Sequence, residues 1–235
     1  MAMTPPTMPA SNDCPTLLLV PTELELRRLE DQGGFTRGPA RVCLCGFGPI
    51  AAAARTAQLC AEWQPERVLL VGIAGTFDSS RAALESAHEF GTVALTGVGA
   101  GEGMHFQGPP ALGFAQWPGS PSTTPHPVVE SLTLAAPEKI GLLLTSCAAT
   151  ANEAVLARRR AAFDGDSKQG PFCEDMEGFG VALACALACV PLRIVRGVSN
   201  EVGDRDPAHW RIPAALDAAR CLANTLIEQD WRDGS

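Results

Sequence analysis

Apolar and polar positions alternate between two rhythms along this chain. Short, almost continuous apolar runs occur at Leu17–Val20, Arg41–Gly48, Arg67–Ala74, Gly91–Gly97, Lys139–Ser146 and Leu192–Ser199. Such runs predict strands. Between them lie segments whose apolar residues recur every three or four positions: Glu23–Asp31, Ile50–Trp63, Ala151–Phe163, Gly178–Cys189 and Ile212–Asp230. These predict helices. Thr22 fits the N-cap of the first, and Leu216, Ala219, Leu222, Ala223, Leu226 and Ile227 share one face of the last. The strands are apolar at nearly every position, as in a sheet covered on both faces. Strands alternating with helices predict an α/β three-layer αβα domain. Residues 98–126 are rich in Gly and Pro without periodicity and predict a long loop, a feature often tied to function. There is no internal repeat.

Composition narrows the class. With 235 residues, 46% hydrophobic and 19% charged, the chain reads as one globular domain over residues 14–235 with a core that needs no staples. Met1–Asp13, rich in Pro, Thr and Ser, reads as a frayed tail without a signal pattern. A formal charge of −8 argues against a nucleic-acid partner, which favours a basic face, but not against a small neutral ligand. No apolar run reaches a transmembrane length. The nine cysteines are scattered without a CxxC pair or zinc spacing, and Cys43, Cys45, Cys185 and Cys189 fall inside apolar patterns. They read as reduced thiols of a cytoplasmic protein, and no metal or cofactor is implied.

Candidate chemistry gathers at strand ends. Glu25 follows the first strand. It reads either as a first-turn Glu favouring the helix dipole or as a carboxylate turned into a ligand crevice, with Glu23 the solvated alternative. Gly46-Phe47-Gly48 and Gly72-Ile73-Ala74-Gly75 follow two further strands, where glycine permits close backbone approach to a ligand. Neither is a dinucleotide or phosphate loop. Glu174, Asp175 and Glu177 surround Met176 at the entry to an apolar helix, more carboxylates than capping requires. A carboxylate can accept from two vicinal hydroxyls. Asn200, Asp204 and Asp206 follow the last strand and alone would read as a turn. His88, His105, His126 and His209 read as surface residues.

In this order, Glu25, Gly-Phe-Gly, Gly-Ile-Ala-Gly, Met176-Glu177-Gly178 and Arg196-Gly-Val-Ser-Asn200 resemble the purine nucleoside phosphorylase and nucleosidase superfamily, over roughly residues 15–231. The likeness is weakest from 98 to 135. It implies a central mixed sheet, a homodimer or larger homo-oligomer, and a small nucleoside as partner. It also implies residue roles: Glu25 as the catalytic carboxylate, Met176 and Glu177 at the ribose, Phe47, Gly48, Ile73, Ala74 and Gly75 as the substrate-side turns, and Asn200 at the leaving base. Adenosine-type nucleosidases of the superfamily carry Asp at this last position. An amide there suits the N7 and O6 edge of a 6-oxopurine. The turns Val20–Glu25 and Gly72–Ser80 hold no Arg, whereas the phosphorylases carry arginines there, so the resemblance implies water rather than phosphate as nucleophile. The expected activity is N-glycosidic hydrolysis of a 6-oxopurine nucleoside. The alternatives are a methylthioadenosine-type nucleosidase, a phosphorylase and a non-catalytic nucleoside binder. The pocket for the 5′ substituent is expected from the loop near 98–126 or from a neighbouring subunit.

Overall fold

The computed structural model describes residues 15–36, 40–124, 126–136, 138–139, 141–163 and 170–229. The tail expected at Met1–Asp13 lies outside these residues. The strands are β1 (Thr16–Val20), β2 (Ala40–Leu44), β3 (Arg67–Thr76), β4 (Ala87–Glu89), β5 (Thr92–Thr96), β6 (Ser131–Thr133), β7 (Leu142–Ser146), β8 (Phe172–Asp175) and β9 (Leu192–Glu201). The helices are α1 (Glu23–Asp31), α2 (Pro49–Trp63), α3 (Pro109–Leu112), α4 (Glu153–Phe163), α5 (Gly178–Leu187) and α6 (Ile212–Glu228).

The described strands form one mixed sheet in the order β2-β1-β3-β8-β7-β5-β6, with β9 pairing β3 and β4. Pairing is parallel except where β8 meets β3, β4 meets β9 and β6 meets β5.

The two-residue period of β1 separates the layers. Leu17 and Leu19 join one apolar cluster with Ala52 and Leu59 of α2 and Phe179 and Val181 of α5. Leu18 and Val20 join another with Leu29 of α1 and Leu216, Ala219 and Leu226 of α6. Both faces of the sheet are therefore covered, which is why β1 and β3 carry no polar alternation. Each fully buried Leu or Val contributes about 1.5–3 kcal/mol of transfer free energy.

Several elements depart from the sequence expectation. β2 stops at Leu44, and beyond it the Gly46 amide still bonds the Pro21 carbonyl at the end of β1. Residues 98–126 hold one turn of 3-10 helix (Gly103–His105) and the short α3. Cys189 lies past the end of α5, exposed and with φ 57°, rather than inside an apolar helix. His88 is not a surface residue: it sits half-buried on β4, bonded to Ser86 Oγ, and burial lowers its pKa. The eight described cysteines are free thiols. No described helix is long and apolar enough to cross a membrane.

Candidate active site

Strands β1, β3, β8 and β9 deliver their C-terminal residues or following turns to one cavity of about 300 Å³. Crevices of this kind lie beyond the carboxyl ends of strands in open α/β sheets. Glu25 and Asn200 line it, as do Phe47, Ile73, Ala74, Gly75, Met176 and Glu177. Gly48 does not. It stands behind the wall and donates its N–H to Glu177 Oε1 at 3.1 Å.

Glu25 is both a helix residue and a cavity residue. It is the N3 member of a capping box with Thr22. Its Oε2 accepts from Thr22 N (3.1 Å) and Thr22 Oγ1 (2.7 Å), and its Oε1 accepts from Ile73 N (3.2 Å). These bonds turn a first-turn glutamate inward, leaving it 7% exposed. Glu23, in contrast, pairs with Arg27 in solvent.

The three carboxylates of the β8–α5 junction separate into distinct roles. Asp175 Oδ1 accepts from Thr145 Oγ1 (2.7 Å), and its Oδ2 accepts from Gly178 N (2.8 Å) at the start of α5. Arg196, fully buried in β9, donates to Asp175 Oδ2 through Nε (3.1 Å) and Nη2 (2.5 Å), and to Glu177 Oε2 (3.4 Å). Glu174 accepts from Thr150 N (2.9 Å) and Thr150 Oγ1 (2.8 Å) and pairs with Arg159 of α4.

Burial raises the Glu177 pKa from 4.5 to about 7. The Arg196 charge and the Gly48 N–H oppose that rise, and Asp175 and Glu25 add to it. A carboxylate balanced near neutrality has a measurable consequence. If its ionised form is the active one, kcat/KM should climb with pH through about 7. Glu177→Gln should erase that limb in a pH–rate profile, and a limb that survives would assign it to another group.

Arg196 carried no role in the sequence reading, yet a charge set between Val195 and Gly197 in the apolar middle of a strand was a visible signal. Such a residue is tolerated only when paired. Gly72 makes room for it: a Cβ there would lie 2.2 Å from Arg196 Nη1 and 2.8 Å from Glu25 Oε1.

The outer wall was also missed. Leu24, Arg205, Trp210 and Ile212 line it, and among the described residues none from 98–126 does. That segment flanks β5 and β6, at the far end of the sheet from β3 and β9. Asp204 orders the outer loop, accepting from Asp206 N (3.0 Å) and bonding His209 Nδ1 (2.9 Å), while its carbonyl receives Trp210 Nε1 (3.2 Å). The Asp206 amide, first, and His209 hold the Asp204 pKa below the usual carboxylate range.

A mixed sheet between helices, with a crevice at its strand ends holding Glu25, Met176-Glu177 and Asn200, is a nucleoside phosphorylase-like fold. No protein-family model matches the chain. Among characterised proteins it is 35% identical over 196 residues to the futalosine hydrolase of Streptomyces coelicolor, covering 80% of this chain and 79% of that one. It is 32% identical over 227 residues to the futalosine hydrolase of Thermus thermophilus, covering 91% and 96%. The chain belongs to the futalosine hydrolase family. In fold it is similar to a 5′-methylthioadenosine/S-adenosylhomocysteine nucleosidase from Colwellia psychrerythraea in complex with adenine (TM-score 0.68, 21% identity, 91% of this chain and 94% of that one).

Proposed function

We propose that this protein hydrolyses the N-glycosidic bond of futalosine, a hypoxanthine nucleoside, and releases hypoxanthine for menaquinone biosynthesis. The observation that carries the reading is the convergence of Glu25, Glu177 and Asn200 on one crevice in a chain of this family. Glycoside cleavage passes through an oxocarbenium-like sugar. Glu25 orients and deprotonates the attacking water. Glu177 binds the 2′- and 3′-hydroxyls and places negative charge beside the developing cation. Met176 packs against the ribose, and the Asn200 amide bonds the departing base. Ser199 Oγ donates to Asn200 Oδ1 (2.8 Å), and Asn200 Nδ2 donates to Glu201 O (2.9 Å), so the amide orientation is fixed. The cavity also carries four carboxylates, Glu25, Glu174, Asp175 and Glu177. The segments Val20–Glu25 and Gly72–Ser80 hold no Arg to cradle a phosphate, which favours water as the nucleophile.

The experiment is hypoxanthine release from futalosine, with inosine and methylthioadenosine in parallel, each with and without phosphate. Phosphate-independent release from futalosine supports the reading. Adenine from methylthioadenosine moves the chain to the neighbouring nucleosidase branch, and a phosphate requirement makes it a phosphorylase. Asn200→Asp should shift kcat/KM towards 6-aminopurine nucleosides by about 10-fold or more, and an unchanged ratio would undo the role of the amide.

The reading includes a homodimer or larger homo-oligomer in the cytoplasm, where free thiols persist. Phe47 is 66% exposed on the cavity wall, and Ile50, at the start of α2, is 81% exposed. A second copy would cover both. A monomer in analytical ultracentrifugation at assay concentration would remove that element.

A further inference from the structure

We propose that Glu174 reads the N1–H of the 6-oxopurine and, together with Asn200, excludes 6-aminopurines. This inference rests on the hypoxanthine reading and deepens it. It starts from the sheet register. Gly75 of β3 pairs with Glu174 of β8 on one side and with Asn200 of β9 on the other. Three positions distant in sequence thus form one row across the sheet at the cavity floor, and all three line the cavity. Adjacent strands are about 4.8 Å apart, so the outer two backbones stand about 10 Å apart. The middle position has no side chain. A Cβ at Gly75 would come within 3.2 Å of Asn200 Nδ2 and of Val202 Cγ2, so glycine leaves the floor open without crowding Asn200. A flat bicyclic base lying over it has Asn200 on one side and Glu174 on the other.

The chemistry of the two sides matches one edge of one base. Along that edge a 6-oxopurine presents N7 and O6 as acceptors and then N1–H as a donor. With Asn200 at N7, the group facing Glu174 is N1–H, which needs an acceptor. Glu174 is 6% exposed and held by donors only: Thr150 Oγ1, Ser146 Oγ and Arg159 Nη1 reach Oε1, and Thr150 N reaches Oε2. A carboxylate oxygen offers about two lone-pair sites, so Oε2 keeps one for the base. A 6-aminopurine brings an N1 lone pair to the same carboxylate, so that contact turns repulsive.

The test compares kcat/KM for futalosine and its 6-amino counterpart in the wild type, Glu174→Gln and Arg159→Met. A Gln amide can face N1–H or an N1 lone pair, so Glu174→Gln should shrink the 6-oxo preference by about 10- to 100-fold. Arg159→Met removes the tie to α4 and keeps the carboxylate, so it should retain the preference even if its rate falls. An unchanged ratio in Glu174→Gln overturns the proposal. An equal shift in Arg159→Met does so too, since Glu174 would then act only as an anchor for α4. If Glu174→Gln does not fold, inhibition of the wild type decides: hypoxanthine should bind at least about 100-fold tighter than 1-methylhypoxanthine, and equal binding overturns the proposal. A wild type that releases no hypoxanthine sinks the functional reading itself. An active wild type with an unmoved ratio sinks only the role of Glu174.

Discussion

Glu25→Gln is expected to lower kcat by about 10²- to 10⁴-fold, the range for loss of a general base, while leaving the fold and the binding of hypoxanthine intact. This substitution separates structure from chemistry unusually well. Glu25 is the N3 member of a capping box, and glutamine serves the same position in such boxes. The amide oxygen can still accept from Thr22 N or Ile73 N. The amide nitrogen must face one of the three donors that now converge on the carboxylate. One mismatched donor costs about 1–3 kcal/mol, which shows in a melting curve without unfolding the chain at assay temperature. The measurement is single-turnover hypoxanthine release together with the Kd for the free base. A kcat within about threefold of wild type would remove Glu25 from the mechanism and leave it a helix cap.

The part of this molecule that was legible in sequence is the part governed by local rules. The bounds of α1 agree to the residue, because the capping residue Thr22 precedes it and β1 is an unbroken apolar run. β4 and β6 were missed. Each has three residues, too few to show a period, and each exists through antiparallel pairing with a remote strand. The site divides in the same way. The nine residues that the superfamily resemblance singled out stand at or near strand ends, and eight of them reach the cavity, Gly48 excepted; Ile73, Ala74 and Gly75 do so from within β3 rather than from a turn. Glu25 could not be decided from pattern, because capping and crevice readings predict the same residue, and the structure gives it both environments. The row Glu174–Gly75–Asn200 was invisible for another reason. It is a fact of register among three strands, and nothing local to any of them specifies it.

Arg196→Met should be the most damaging substitution to stability. Removing one partner of a buried ion pair costs about 3–5 kcal/mol. At about 2–4 °C per kcal/mol for a chain of this length, Tm should fall by about 10–15 °C. The physical cause is not the lost contact alone. Arg196 is fully buried between Asp175 and Glu177, with Glu25 also within its field. Without it these carboxylates share a dry site with no compensating cation. That predicts a dependence on pH as well as a magnitude. In the wild type the Glu177 pKa is already raised from 4.5 to about 7, chiefly by burial. The native state therefore holds a proton that the unfolded chain releases between these values. The resulting stabilisation is fully present below about 4.5 and is lost as pH rises through about 7. Arg196 counteracts this loss by favouring the ionised form. Its removal should push the Glu177 pKa higher still, so the deficit in Tm relative to wild type should be smaller near pH 5, where the lost pair with Asp175 dominates it, and largest above pH 7. The same displacement should carry the rising limb of kcat/KM to higher pH. Melting curves of both proteins from pH 5 to 8.5 provide the check. A deficit independent of pH would mean that Arg196 contributes through packing, and that the carboxylates do not depend on its charge.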